Sequence, residues 1–134
     1  MKVTMEHTNL GRIIKGVGGL YQVKLPDKDP PVACRAKGAF RHENLTPLVG
    51  DLVCLEFDPT GDAMISDIAE RKNALIRPPL ANLDYMFVTL AAAKPLPVLE
   101  TVDKLICILE HHHITPVIVV TKQDADPDYA RQLC

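Results

Sequence analysis

The chain has 134 residues, of which 47% are hydrophobic and 24% are charged. This length is about that of one ordinary domain, and so apolar a composition excludes an intrinsically disordered chain. A formal net charge of −2 excludes a polycation of the histone-like kind. The longest apolar runs fall far short of the ~20 residues that a membrane span needs, and charged residues near the start leave no core for an export signal. The composition therefore predicts a soluble, cytoplasmic protein without membrane contact.

Cysteines and a run of histidines raise the question of a metal site. Zinc sites usually contain closely spaced cysteine pairs, which this sequence lacks, so we expect reduced and mostly buried thiols. The run His111–His113 is consecutive, and neighbouring helix residues point in different directions. We expect these histidines to end a helix, near its negative end, and the sequence predicts no metal site in this chain.

Short β-rich runs, separated by Gly, Pro or Asp, fill the first half of the sequence. Five strands are predicted, at Gly11–Lys15, Leu20–Leu25, Val32–Lys37, Asp51–Phe57 and Ala63–Ile68. A longer irregular piece separates the third strand from the fourth. This spacing predicts an all-β, five-stranded barrel of the OB type, with a small SH3-like barrel as the alternative.

The second half has the pattern of a β-α-β unit. Residues 84–91 form a continuous apolar run, as does Val117–Val120, and each predicts a strand that is buried on both faces. Between them, apolar residues from Val98 to Leu109 fall on one helical stripe that ends at His113. Strand, helix and strand in this order predict two parallel strands. Two strands and one helix cannot cover both faces of a sheet, so this half needs more chain or a partner.

A lysine and an aspartate follow the second of these strands, in the sequence Thr121-Lys122-Gln123-Asp124. Ligands of open α/β sheets bind at the carboxyl ends of strands. A carboxylate at Asp124 can accept two parallel hydrogen bonds from guanine N1–H and the 2-amino group, while Lys122 can lay its methylene stem along the base. These residues resemble the Asn/Thr-Lys-x-Asp guanine-recognition motif of GTPases, in which asparagine is commoner than threonine at the position of Thr121. The motif predicts guanine binding by Thr121, Lys122 and Asp124.

No phosphate-binding P-loop, Gly-x-x-x-x-Gly-Lys-Ser/Thr, accompanies this motif. Gly11 and Gly16 have its outer spacing, but Val17 and Gly18 follow where Lys and Ser/Thr would stand. A chain without a P-loop is expected to hydrolyse no GTP by itself. The sequence therefore indicates no catalytic residue in this chain.

An uncompensated basic stretch lies on the third predicted strand and the loop after it. Arg35, Lys37 and Arg41 occur there with no acidic residue between them, and Phe40 lies among them. Such a stretch can follow a phosphate backbone, and an aromatic ring can stack on a base. The alternative is a solvated strand face with Phe40 in the core. We predict RNA contacts by Arg35, Lys37, Phe40 and Arg41.

Taken together, the barrel and a guanine motif without a preceding P-loop resemble the circularly permuted, small-subunit-dependent GTPases of the RsgA/YjeQ/YloQ family. The resemblance spans nearly the whole chain, through short stretches at residues 11–14, 18–23, 34–38, 40–41, 49–53, 71–78, 81–84 and 121–124.

The resemblance implies an OB-fold domain at 1–74 and, at 75–134, the beginning of a P-loop NTPase-like, circularly permuted GTPase domain. It implies GTP binding and hydrolysis stimulated by the small (30S) ribosomal subunit, a role in late maturation of that subunit, and contact with 16S rRNA as a monomer. GTP with magnesium and a zinc-binding C-terminal domain are also implied, and this chain is then an N-terminal fragment. The alternative is a non-enzymatic, RNA-binding OB barrel with a degenerate α/β tail.

Overall fold

The computed structural model of the protein describes residues 10–38, 40 and 45–134. These residues form two compact units, the first ending at Asn82 and the second beginning at Leu83. The elements in chain order are β1 (Leu10–Val17), β2 (Leu20–Lys24), β3 (Val32–Ala36), β4 (Leu52–Phe57), β5 (Ala63–Ile68), β6 (Ala74–Leu75), β7 (Leu80–Ala81), β8 (Tyr85–Ala91), α1 (Leu99–His111), β9 (Thr115–Thr121) and α2 (Pro127–Leu133).

The first five strands close into a barrel in the order β1-β2-β3-β5-β4. Neighbouring strands run antiparallel except β3 and β5, which pair in parallel with Cys34 opposite Ala63. This arrangement confirms the predicted five-stranded barrel of the OB type. Because the ladder closes on itself through β1 and β4, the barrel has no open sheet edge.

Along each barrel strand, every second side chain points into the barrel, because successive side chains of a β-strand point to opposite faces. The alternation explains why Ile13, Val23 and Ile65 are at most 1% exposed while their neighbours along the strands reach solvent. The buried cluster comprises Ile13, Val23, Leu25, Cys34, Phe40, Val53, Leu55 and Ile65.

A short hairpin of β6 and β7 follows the barrel and is attached to it by hydrogen bonds. The Ala81 backbone N–H donates to the Val49 carbonyl at 2.9 Å, and the Asn82 side-chain amide donates to the Gly50 carbonyl at 3.1 Å. Asn82 adopts a positive φ of 57°, which asparagine tolerates better than most residues. These contacts extend the first unit to Asn82, beyond the boundary after Ala74 that the sequence predicts.

The second unit is the predicted β-α-β arrangement with one further helix. Strands β8 and β9 pair in parallel, with Tyr85 opposite Thr115 and Ala91 opposite Thr121, and both α1 and α2 pack against β9. Its buried apolar side chains are Val88, Leu90, Ala92, Leu109, Ile114 and Ala130.

The expectation that both strands are buried on two faces is wrong for this chain. Val88 and Leu90 on one face of β8 are each 6% exposed, but Tyr85 and Phe87 on the other face are 63% and 70% exposed. Ile118 on β9 is 40% exposed. In the described residues, this two-stranded sheet therefore has apolar side chains that nothing covers.

All four cysteines lie among the described residues, and all four are free thiols. Cys34 is buried in the barrel, and this burial raises the pKa of its thiol to about 11. Cys107 and Cys134 are exposed, so the expectation of mostly buried thiols is correct for only part of the set. Within the described residues, no helix is long and apolar enough to cross a membrane.

Two glycines with similar backbone angles allow a controlled test of the contact between the barrel and β7. Gly50 has φ of 99° and Gly61 has φ of 93°. A Cβ on Gly50 would lie 1.9 Å from the Ala81 carbonyl oxygen, whereas a Cβ on Gly61 would meet nothing within 4 Å. The two positions therefore share the backbone strain but differ in the available space.

We predict that Gly61→Ala lowers the free energy of unfolding by about 1–2 kcal/mol, the cost of a non-glycine residue at positive φ. Gly50→Ala should cost at least about 2 kcal/mol more, because the backbone of Ala81 must also move. Urea denaturation followed by circular dichroism measures both values. Equal losses for the two variants would show that the approach of Gly50 to Ala81 contributes nothing.

Candidate functional site

The predicted guanine motif lies directly after a parallel strand. Thr121 is the last residue of β9 and pairs with Ala91 at the end of β8. The following residues Lys122 and Asp124 are both exposed. The structure therefore brings this lysine and this carboxylate to the carboxyl edge of the two-stranded sheet, where α/β proteins bind ligands.

Backbone hydrogen bonds fix the loop after β9. The Ala92 N–H donates to the Thr121 carbonyl at 2.9 Å, and the Ala125 N–H donates to the Lys122 carbonyl at 3.0 Å. Lys122 has φ of 54°, a left-handed conformation that is uncommon for a residue other than glycine. Such conformations persist only where the surrounding structure holds them, and they are frequent at ligand sites.

Two side chains of the motif are turned back onto the strands. The Thr121 hydroxyl donates to the Leu90 carbonyl at 3.3 Å, and the Gln123 amide donates to the Val120 carbonyl at 3.1 Å. The carboxylate of Asp124, in contrast, accepts no hydrogen bond and forms no ion pair among the residues that the structure describes. The Asp124 side chain borders a surface pocket of about 580 Å³, which Pro127 and Arg131 also line.

The loop ends at a helix cap that the sequence analysis did not identify. The Asp126 side chain accepts a hydrogen bond from the Tyr129 backbone N–H at 2.9 Å, and Pro127 occupies the first turn of α2. An aspartate followed by proline is a known signature of a helix N-terminus, so the sequence did carry this signal. The two nearby carboxylates therefore differ: Asp126 caps α2, whereas Asp124 is available to bind a ligand.

Two of the basic residues predicted to contact RNA are described: Arg35 lies on β3, and Lys37 directly follows this strand. Arg35 is exposed, and its guanidinium has no hydrogen bond or ion pair among the described residues. Lys37, two residues on and therefore on the same face, forms an ion pair with Glu56. Arg41, which the sequence also predicts to contact RNA, lies outside the described residues.

The prediction that Phe40 stacks on a base is wrong. Phe40 is 8% exposed and belongs to the buried cluster of the barrel. An aromatic ring can stack on a base only when one of its faces reaches solvent. Burial of the ring in the apolar core removes Phe40 from the candidate RNA contacts.

The described residues contain no group of three or more His, Cys, Asp or Glu side chains that could hold a metal ion. The histidine run lies at the end of α1, which ends at His111. The rings of His111 and His112 meet edge to face with their centroids 5.3 Å apart, and His113 leaves the helix with φ of 56°.

An OB-type barrel followed by a β-α-β unit with Lys-x-Asp at a strand end defines a class of protein: a barrel joined to nucleotide-binding α/β structure. Two family models match the chain. The model for the RsgA N-terminal domain matches residues 10–65, and the model for the RsgA GTPase matches residues 68–133. The chain belongs to the RsgA family, which confirms the resemblance found in its sequence.

Curated relatives and solved structures agree with this assignment. The small ribosomal subunit biogenesis GTPase RsgA of Bacillus pumilus (strain SAFR-032) is 37% identical over 116 residues, which are 85% of this chain and 39% of that protein. The protein of the same name in Bacillus subtilis (strain 168) is 36% identical over 120 residues, 88% of this chain and 40% of that protein. The chain thus spans well under half the length of these relatives.

Two crystal structures resemble the chain in fold. YloQ, described as a circularly permuted GTPase, superposes with a TM-score of 0.74 and 32% identity over 99% of this chain and 48% of that chain. YjeQ from Thermotoga maritima superposes with a TM-score of 0.76 and 26% identity over 93% of this chain and 45% of that chain. The predicted fold, a barrel followed by part of a permuted GTPase domain, is confirmed.

Proposed function

We propose that this chain supplies the RNA-binding barrel and the guanine-recognition loop of a cytoplasmic GTPase that acts in late assembly of the small ribosomal subunit. Its family and the names of its relatives support this function. The observation that carries the proposal is the placement of Lys122 and Asp124, both exposed, at the carboxyl end of β9. The protein acts on GTP as a monomer.

Guanine recognition follows from the chemistry of the loop. The carboxylate of Asp124 accepts two hydrogen bonds from guanine N1–H and the 2-amino group, and a base that lacks this pair of donors leaves the carboxylate unsatisfied. The stem of Lys122 covers one face of the base.

Hydrolysis needs groups that these 134 residues do not supply. The sequence has no P-loop, and phosphoryl transfer depends on a P-loop and a magnesium ion to hold the phosphates. The proposal therefore places phosphate and magnesium binding outside this sequence, together with the zinc-binding domain that the resemblance implies.

We predict that the 134-residue chain alone releases no phosphate from GTP above background. A chimera that continues this chain with the remaining residues of the Bacillus subtilis relative should hydrolyse GTP and respond to added small subunits. A phosphate-release assay measures both proteins under the same conditions. Hydrolysis by the chain alone would overturn this assignment of roles, and an inactive but folded chimera would contradict the proposed function.

Asp124→Asn in this chimera tests base recognition. The amide replaces one acceptor by a donor, so affinity for GTP should fall at least about tenfold, since hydrogen bonds to charged groups contribute about 1.5–3 kcal/mol each. Affinity for xanthosine triphosphate should rise relative to GTP, because its 2-oxo group accepts from the new amide. Titration with both nucleotides measures the ratio.

Asp128→Asn is the matched control for this substitution. Asp128 is also an exposed carboxylate near the loop, but it pairs with Arg131 on α2. Its replacement should leave the ratio of the two affinities unchanged. If Asp124→Asn also leaves the ratio unchanged, Asp124 does not recognise guanine.

Binding of 16S rRNA is proposed for Arg35, Lys37 and Arg41. Arg35 is the stronger candidate of the two that the structure describes, because Lys37 already pairs with Glu56. A cation that is already neutralised by a protein carboxylate releases fewer counterions from RNA when it binds a phosphate.

We predict that Arg35→Ala weakens binding of the small subunit and reduces the slope of log K against log salt by about 0.7–0.9, the value for one phosphate contact. Lys37→Ala should reduce the slope less. Lys104→Ala is the control, since Lys104 is an exposed lysine paired with Glu100 on α1 of the other unit. An unchanged slope in a folded Arg35→Ala protein would show that this face of β3 does not contact RNA.

A further inference from the structure

The four residues Thr121-Lys122-Gln123-Asp124 divide into two pairs according to where their side chains make hydrogen bonds. The first and third donate to backbone carbonyls of the strands, Thr121 to Leu90 and Gln123 to Val120. All four residues are exposed, but the side chains of the second and fourth form no hydrogen bond with the residues that the structure describes. This division goes beyond the guanine contacts predicted from the sequence, which include Thr121.

We propose that Thr121 and Gln123 are positioning residues, which hold the loop so that Lys122 and Asp124 face the base. This inference rests on the proposed guanine-binding function of the loop. It reassigns Thr121 from a base contact to an anchor, and it gives a role to Gln123, to which the sequence analysis assigned none.

Thr121 ties the beginning of the loop to the neighbouring strand. Its carbonyl accepts a hydrogen bond from Ala92, and its hydroxyl donates to Leu90, so both groups join the end of β9 to the end of β8. The 3.3 Å between the Thr121 hydroxyl and the Leu90 carbonyl is long for an O–H···O bond. We therefore expect the hydroxyl to contribute modestly.

Gln123 ties the middle of the loop to the strand that precedes it. The 3.1 Å bond from its amide to the Val120 carbonyl spans the residue in the left-handed conformation, Lys122. A side-chain bond across such a residue restricts the backbone on both sides of it. Asp124 comes next in the chain, so the backbone that Gln123 restricts also determines where the Asp124 carboxylate points.

The experiment uses the chimera with the Bacillus subtilis relative and compares affinities for GTP and inosine triphosphate. Hypoxanthine lacks the 2-amino group, so the ratio of the two affinities reports how well the Asp124 carboxylate is placed. Thr121→Val and Gln123→Met remove the donors while nearly preserving side-chain size. Gln123→Met should lower the preference for GTP about three- to tenfold, the effect of one hydrogen bond, and Thr121→Val should lower it less, because its bond is long.

Thr121→Ser keeps the hydroxyl and should keep the preference for GTP. If Thr121→Val and Gln123→Met weaken both nucleotides equally, the two side chains stabilise the fold without placing Asp124, and the inference is overturned. The inference also fails, while the proposed function stands, if neither variant changes the ratio but Asp124→Asn does. If Asp124→Asn has no effect either, the guanine-binding function itself fails.

Discussion

An ion pair between the buried Asp51 and the partly exposed Arg71 joins distant segments of the first unit. The Asp51 side chain is fully buried, and Arg71 donates to both of its oxygens, from Nε and Nη2, at 2.7 Å each. The Leu48 backbone N–H donates to the same carboxylate at 2.7 Å. A buried charge is tolerated only when such partners replace its lost hydration. The pair thus joins the loop before β4 to the chain after β5, and that loop in turn receives the β6–β7 hairpin through Val49 and Gly50.

Such an ion pair specifies an arrangement more than it adds net stability. Burying two charges costs several kcal/mol per ion, which their attraction offsets only with good geometry. Arg71 makes a second contact, from Nη2 to the Thr46 carbonyl at 2.8 Å. One guanidinium reaches the carboxylate of Asp51 and the backbone carbonyl of Thr46 at the same time, so the segment from Thr46 to Asp51 is fixed relative to the chain after β5.

The sequence predicted those parts of the structure that depend on local periodicity. Short β-rich runs bounded by Gly, Pro or Asp located all five barrel strands, and Ala63–Ile68 matches its predicted bounds. The pair of Asp51 and Arg71 was not predicted, because its members are distant in sequence and periodicity says nothing about such contacts. Phe40 was misplaced for a related reason: its basic neighbours suggested a surface, whereas the barrel needs apolar rings inside. The apolar pattern of β8 indicated that both of its faces favour burial, but in the described residues the face that carries Phe87 is exposed.

At the guanine motif, the sequence predicted the residue types and their place at a strand end. It could not predict that the Thr121 hydroxyl binds the Leu90 carbonyl, since that contact depends on the register of β8 against β9, and Leu90 is remote from Thr121 in the chain. The Gln123 bond to Val120 is local, but it depends on the left-handed backbone at Lys122, which the residue types do not predict. In the part of the chain that the structure describes, the hydrogen bonds that hold the loop lie within the second unit: between the ends of β8 and β9, inside the loop itself, and at the cap of α2 at Asp126. For the proposed guanine-binding function, this means that the loop needs no phosphate-binding segment earlier in the chain to hold it in place.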